Sequence, residues 1–203
     1  DRGRRRETER IEGVKQDDVL YHDSEKHDPQ KSFRESFSEV VIVSRLKAAL
    51  KRLNPWLNDV QIDDLCVQVQ NYPHPLRQIL ENNEEVYDRI TEGLSADNEV
   101  TNEVNCPVRL IDWTDVDAYD GPDATDNDFL AISQYKVRIP GKEEHIIPDI
   151  VLFVNGLPLV VIECKAPDIT EPIAEGIDQL MRYQNRRGAE EPEGVPELFY
   201  FNQ

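Results

Sequence analysis

Residues 148–167 read Pro-Asp-Ile-Val-Leu-Phe-Val-Asn-Gly-Leu-Pro-Leu-Val-Val-Ile-Glu-Cys-Lys-Ala-Pro. Two apolar runs, rich in β-branched side chains, flank Asn155-Gly156, a pattern that predicts a β-hairpin. Residues 159–162 are apolar on both faces, which suits a central strand covered on both sides. Into this apolar hairpin the chain inserts Asp149, Glu163 and Lys165. Charged side chains are seldom buried unless they are paired or bound to a metal.

Strand parity sharpens the constraint. Glu163 and Lys165 share one face with Leu159 and Val161, and Asp149 shares a face with Val151 and Phe153. Opposite residues of an antiparallel pair point the same way. A two-residue Asn-Gly turn pairs Asp149 with Ile162 and sends the two carboxylates to opposite faces. A three- or five-residue loop pairs Asp149 with Glu163. If the carboxylates act together, the expectation is therefore a loop of odd length. Pro158, which lacks an N–H, fits at the edge of the second strand.

Two carboxylates and a lysine on one face suit a hard divalent cation beside an activated water. Carboxylate oxygens match Mg²⁺, and a lysine orients a nucleophile or offsets phosphate charge. The alternative for these residues is a core hairpin carrying a structural Lys165–carboxylate ion pair. Pro148-Asp149 followed by Glu163-Cys164-Lys165 resembles the PD-(D/E)XK nuclease pattern. The longer string, with Val108-Arg109-Leu110-Ile111-Asp112 and Asn127-Asp128-Phe129-Leu130-Ala131, resembles the N-terminal nuclease domain of the R subunit of type I restriction–modification enzymes.

Composition sets wider bounds. The chain has 203 residues, 38% hydrophobic and 32% charged, enough for a substantial core with polar extensions. Cys66, Cys106 and Cys164 show neither metal-ligand spacing nor a paired framework, which points to a reducing, cytoplasmic setting. There is no apolar run long enough to span a membrane. The net charge of −18 runs against nucleic-acid binding, which usually leaves a basic footprint. Three explanations stay open: a DNA grip supplied by other parts of an assembly, an organism with high internal salt, or an ordinary acidic surface.

Along the chain, residues 1–31 are polar, with five arginines in the first ten positions, and read as a peripheral extension. Residues 36–53 predict a helix with Ser36 and Glu39 at capping-box spacing and Val43, Leu46, Leu50 and Leu53 facing the core. Residues 58–70 predict a second helix, with Ile62, Leu65, Cys66 and Val69 on one side. After Pro73 and Pro75, residues 76–94 predict a third, burying Ile79, Leu80, Tyr87 and Ile90. Strands are expected at 108–112, 129–139 and 197–201, an acidic surface loop at 115–128, and a helix at 172–183 with proline in its first turn. Gln179 and Tyr183 lie four apart on that helix, and Arg182, Arg186 and Arg187 form a basic patch at its end.

The resemblance spans residues 31–203. It implies an α/β fold: a restriction-endonuclease-like mixed central sheet flanked by helices, with a helical N-terminal region. Residues 1–31 would be the extension and 32–203 the nuclease domain, divided into a helical part (32–97) and the PD-(D/E)XK core (98–203). An ATP-driven translocase motor is expected beyond the end of the chain. The resemblance implies Mg²⁺-dependent cleavage of double-stranded DNA, with Asp149, Glu163 and the Cys164 backbone carbonyl as metal ligands and Lys165 as the third catalytic side chain. Glu39 is a further candidate ligand, or a capping residue, or both. Gln179 and Tyr183 match a Q-x-x-x-Y element implied to hold the DNA strand, with Arg182 and Arg186 as candidate phosphate contacts. Implied partners are methyltransferase and specificity subunits. ATP would be bound outside these residues. Position 164 departs from the family, which more often carries leucine there. Two rival readings remain: a silent docking domain for partner subunits, and a two-carboxylate glycosidase, which would leave Lys165 unexplained.

Overall fold

The computed structural model describes residues 28–71, 79–113, 125–166, 168 and 170–202. The extension over 1–27, the Pro73/Pro75 break, the expected helix start at 76–78 and the acidic loop as far as 124 lie outside the described residues.

The fold is α/β. A 3-10 turn at Pro29–Ser32 leads to α1 (Val43–Leu53), α2 (Asp59–Gln70) and α3 (Ile79–Thr91). α2 follows the sequence closely. Asn58 and Gln61 exchange side-chain and backbone hydrogen bonds in a capping box, and Ile62, Leu65, Cys66 and Val69 are buried.

α1 begins seven residues later than expected. The Glu39 carboxylate accepts the N–H groups of Glu35 (3.1 Å) and Ser36 (3.0 Å), but this closes a turn, not a helix. Val41 and Ile42 are fully buried, and the Ile42 N–H donates to the Gly156 carbonyl at 2.9 Å. Holding these residues against the hairpin turn keeps the backbone out of the helical region until Val43. From there Leu46, Ala49, Leu50 and Leu53 form the buried stripe, each large side chain contributing roughly 1.5–3 kcal/mol by leaving water.

α3 is rotated relative to the sequence reading. It buries Asn82, Val86 and Ile90, while Leu80 and Tyr87 stay 66% and 47% exposed. Asn83 explains part of the phase: its amide donates to the carbonyls of Tyr200 (2.9 Å) and Asn202 (2.6 Å). Gly93, at φ +85°, ends the helical stretch where a Cβ would meet the Val108 carbonyl at 2.5 Å.

Among the described residues seven strands follow: β1 (Leu94–Asn98), β2 (Glu103–Val108), β3 (Phe129–Ser133), β4 (Val137–Arg138), β5 (His145–Ile146), β6 (Ile150–Val154) and β7 (Leu157–Ile162). They form a β1-β2 pair, a three-stranded β3-β6-β7 sheet and a β4-β5 pair, all antiparallel among the described residues. β1 begins at Leu94, the last residue of the expected third helix, and β2 stops where the strand 108–112 was expected to begin. The expected strand 129–139 is broken at residues 134–136, where Gln134 takes φ 52°. The central strand is β6, not β7; β7 is an edge, with Val160 and Ile162 42% and 37% exposed.

The chain closes with α4 (Pro172–Tyr183), matching its expected bounds, and a 3-10 turn at Pro196–Phe199 in place of the expected strand. Leu198, Phe199, Tyr200 and Phe201 are buried, so their apolar pattern reports core packing, not strand pairing. The Asn202 side chain donates to the Pro158 carbonyl at 3.1 Å and ties this segment to the start of β7.

Candidate active site

The hairpin turn is the two-residue Asn155-Gly156 turn, with φ 53° and 83° as a type I′ turn requires. Val154 pairs with Leu157 and Phe153 with Pro158, but Leu152 pairs with Val160, Val151 with Val161 and Ile150 with Ile162. Leu159 is therefore an extra residue in β7, a β-bulge. The bulge shifts the register by one and brings Glu163 opposite Asp149. The expectation of an odd-length loop is thus corrected: an even turn plus one bulged residue gives the same parity.

Asp149 precedes β6 and is held by two donors. Gln134 Nε2 donates to Oδ1 at 2.8 Å, and the Cys164 N–H donates to Oδ2 at 2.7 Å. Glu163 follows β7 with only 4% of its side chain accessible. Its Oε1 accepts from Gln179 Nε2 and from Lys165 Nζ, the latter at 3.3 Å. Its Oε2 is buried with no hydrogen-bond partner. Burial first, and the neighbouring Asp149 charge second, push the Glu163 carboxyl above the ordinary glutamate range, while Lys165 pulls the other way.

Lys165 also donates to Gln179 Oε1. Gln179 Nε2 reaches the Tyr183 hydroxyl at 2.6 Å, and that hydroxyl donates to the Ile147 carbonyl at 3.4 Å. Gln179 is thus a bridge between Glu163 and Lys165. Tyr183 is 3% exposed and meets the site through its hydrogen bond with Gln179.

The remaining candidates separate. Glu39 uses its carboxylate in the Glu35–Ser36 turn and lies on a different cavity, lined also by Arg138, Lys142 and Glu197. No cluster of three or more His, Cys, Asp or Glu suited to a metal occurs among the described residues. Arg182 lines an open cleft of about 690 Å³ with Gln179, but Glu171, Glu175 and Asp178 line it too. Arg187 is spent on Asp178 (2.7 Å) and Glu193 (3.0 Å). Arg186 belongs to a separate groove with Leu80, Val161 and Phe199. Of the three arginines grouped by sequence, Arg182 and Arg187 line the same cleft and Arg186 lies apart.

The donor set fits a hard divalent cation. Mg²⁺ is typically held by one or two carboxylates, with waters and substrate phosphates completing its shell. A desolvated carboxyl with an orphaned oxygen beside a second acid is a pair that a cation would relieve. Sequence reasoning missed Gln134. Its signal lies only in register: Ser133 pairs with Ile150, so the next residue stands opposite Asp149.

Fold and site together define an α/β chain of restriction-endonuclease-like architecture with a two-carboxylate, one-lysine centre. The chain belongs to the family described as the type I restriction enzyme R protein N terminus, which matches residues 14–203. It is 29% identical over 171 residues to the type I restriction enzyme HindI endonuclease subunit of Haemophilus influenzae, covering 84% of this chain and 14% of that protein. Two Methanocaldococcus jannaschii proteins, named provisionally as endonuclease subunits of type I restriction enzymes, are 26% and 27% identical over 68% and 83% of the chain. The chain spans about a seventh of the length of these relatives. No helix among the described residues is long and apolar enough to cross a membrane.

Proposed function

We propose that this chain is the nuclease domain of a type I restriction enzyme R subunit and hydrolyses phosphodiester bonds of double-stranded DNA with Mg²⁺. The observation that carries the reading is Glu163, hydrogen-bonded to Lys165 and acted on by the charge of Asp149, with a buried carboxylate oxygen that has no hydrogen-bond partner. Asp149, Glu163 and the Cys164 carbonyl would hold the metal. When bound, Mg²⁺ supplies Lewis-acid stabilisation of phosphate charge and an acidified water. Lys165 orients the attacking water and offsets charge gathering on the scissile phosphate. Gln179 keeps Lys165 and Glu163 in register, and Tyr183 fixes Gln179. Arg182, on the cleft beside Gln179, is the nearest candidate for a backbone phosphate contact.

In the complete subunit this cleavage would be coupled to ATP-driven translocation by a motor outside these residues. Methyltransferase and specificity subunits would supply sequence choice. Lys165→Ala tests the reading in the assembled enzyme. Cleavage is expected to fall by at least about 10²-fold, with complex assembly and ATP hydrolysis retained. Cleavage at the wild-type rate would instead make the chain a docking domain.

A further inference from the structure

Gln134 belongs to no motif in the chain, yet it grips Asp149 twice. Its backbone N–H donates to the Asp149 carbonyl at 2.7 Å, and its side-chain amide donates to Asp149 Oδ1 at 2.8 Å. It does so from φ 52°, a left-handed conformation that glutamine seldom takes. The neighbouring Tyr135 N–H donates to the Pro148 carbonyl at 2.9 Å. The fully buried Tyr135 ring packs edge-on to Phe153, 5.1 Å between centroids. The left-handed step is therefore fixed on both sides, by the β3-β6 ladder before it and by a core aromatic after it.

Asp149 is consequently clamped from both neighbouring strands. Gln134, after β3, holds one oxygen, and the Cys164 N–H, after β7, holds the other. Each oxygen accepts one hydrogen bond and keeps a second lone pair. The carboxylate cannot rotate without breaking both bonds, so those lone pairs keep one orientation. An amide suits this task because it brings no positive charge. A lysine or arginine at the same place would neutralise Asp149 and compete with a cation.

We propose that Gln134 is a positioning residue for the metal site: it sets the rotamer of Asp149 so that the carboxylate meets a divalent cation already oriented. This rests on the nuclease reading of the site. Removal of a hydrogen-bonding partner behind a metal ligand typically costs about 10–100-fold in metal affinity.

The test is Mn²⁺ binding to the 203-residue chain, followed by electron paramagnetic resonance, for the wild type, Gln134→Leu and Asp149→Asn. Melting temperatures are measured alongside. Gln134→Leu is expected to weaken Mn²⁺ by about 10-fold or more with its melting temperature held. In the assembled enzyme the half-saturating Mn²⁺ concentration should rise in step, and saturating metal should restore most of the maximal cleavage rate. A purely structural role would not produce that split. If Gln134→Leu unfolds, Gln134→Met, closer in shape, replaces it in the same measurements. Wild-type Mn²⁺ affinity in a folded Gln134 variant overturns this inference while leaving the nuclease reading intact. A wild-type chain that binds no better than Asp149→Asn overturns the nuclease reading and this inference with it.

Discussion

Glu163 is where burial and charge conflict most directly. Desolvation and the Asp149 charge raise its carboxyl above the usual glutamate range, against the pull of Lys165. A raised folded-state value means that the folded chain holds a proton there when the unfolded chain does not. The group therefore favours folding below the unfolded glutamate value, and that contribution is lost as pH rises through the raised folded value. Metal binding runs the other way, because a cation needs the carboxylate. Mn²⁺ affinity should fall as pH drops through the range just above ordinary glutamate titration, with a proton released for each ion bound. Calorimetric titrations at stepped pH in buffers of different ionisation enthalpy measure both effects. Affinity that is flat across that range would show that Glu163 is already ionised before metal arrives. Residue identities at the site were legible in the sequence, since acids in an apolar hairpin need a reason to be there. Gln179's place between Glu163 and Lys165 was not legible, because the periodicity of a helix shows which of its faces is apolar but not which strand it packs against.

The hairpin is the element that makes the site. Its parity depends on Leu159, the bulged residue that lets a two-residue turn place Glu163 opposite Asp149. Deleting Leu159 should give a regular hairpin with the same Asp149–Glu163 pairing, and Mn²⁺ affinity should stay within about tenfold of wild type. Inserting one valine after Val160 should send Glu163 to the other face and abolish binding. The contrast between the two variants, measured by Mn²⁺ resonance, decides whether register is what matters. The same turn seats α1. A Cβ at Gly156 would lie 2.5 Å from the Ile42 carbonyl and 2.9 Å from the Leu46 nitrogen, at a φ of +83°. Gly156→Ala should cost roughly 2–4 kcal/mol in urea denaturation, from backbone strain and overpacking together.

At the scale of the molecule the dominant fact is charge. A net −18 is paired with a cleft beside the site that carries Glu171, Glu175 and Asp178. Arg187, which lines the same cleft, is already paired with Asp178 and Glu193. The chain alone should bind duplex DNA more weakly than about 100 µM at physiological salt, at or below the weak end of non-specific binding. Fluorescence anisotropy with a labelled duplex measures this; micromolar binding would mean that residues outside the described set supply a basic grip.

Local chemistry settled much of this protein from sequence alone. The span and buried face of α2, the proline-led start of α4, the Asn-Gly turn and the carboxylates and lysine at its base all follow from short-range rules. Tertiary contacts decided the rest. Ile42's bond to Gly156 set where α1 begins, and the core claimed residues 198–201, an apolar run that sequence alone reads as a strand. A single bulge at Leu159 chose the face on which Glu163 emerges. Each of these turns on which of two near-equal local states gains a long-range partner, and that gain is visible only once the chain is folded.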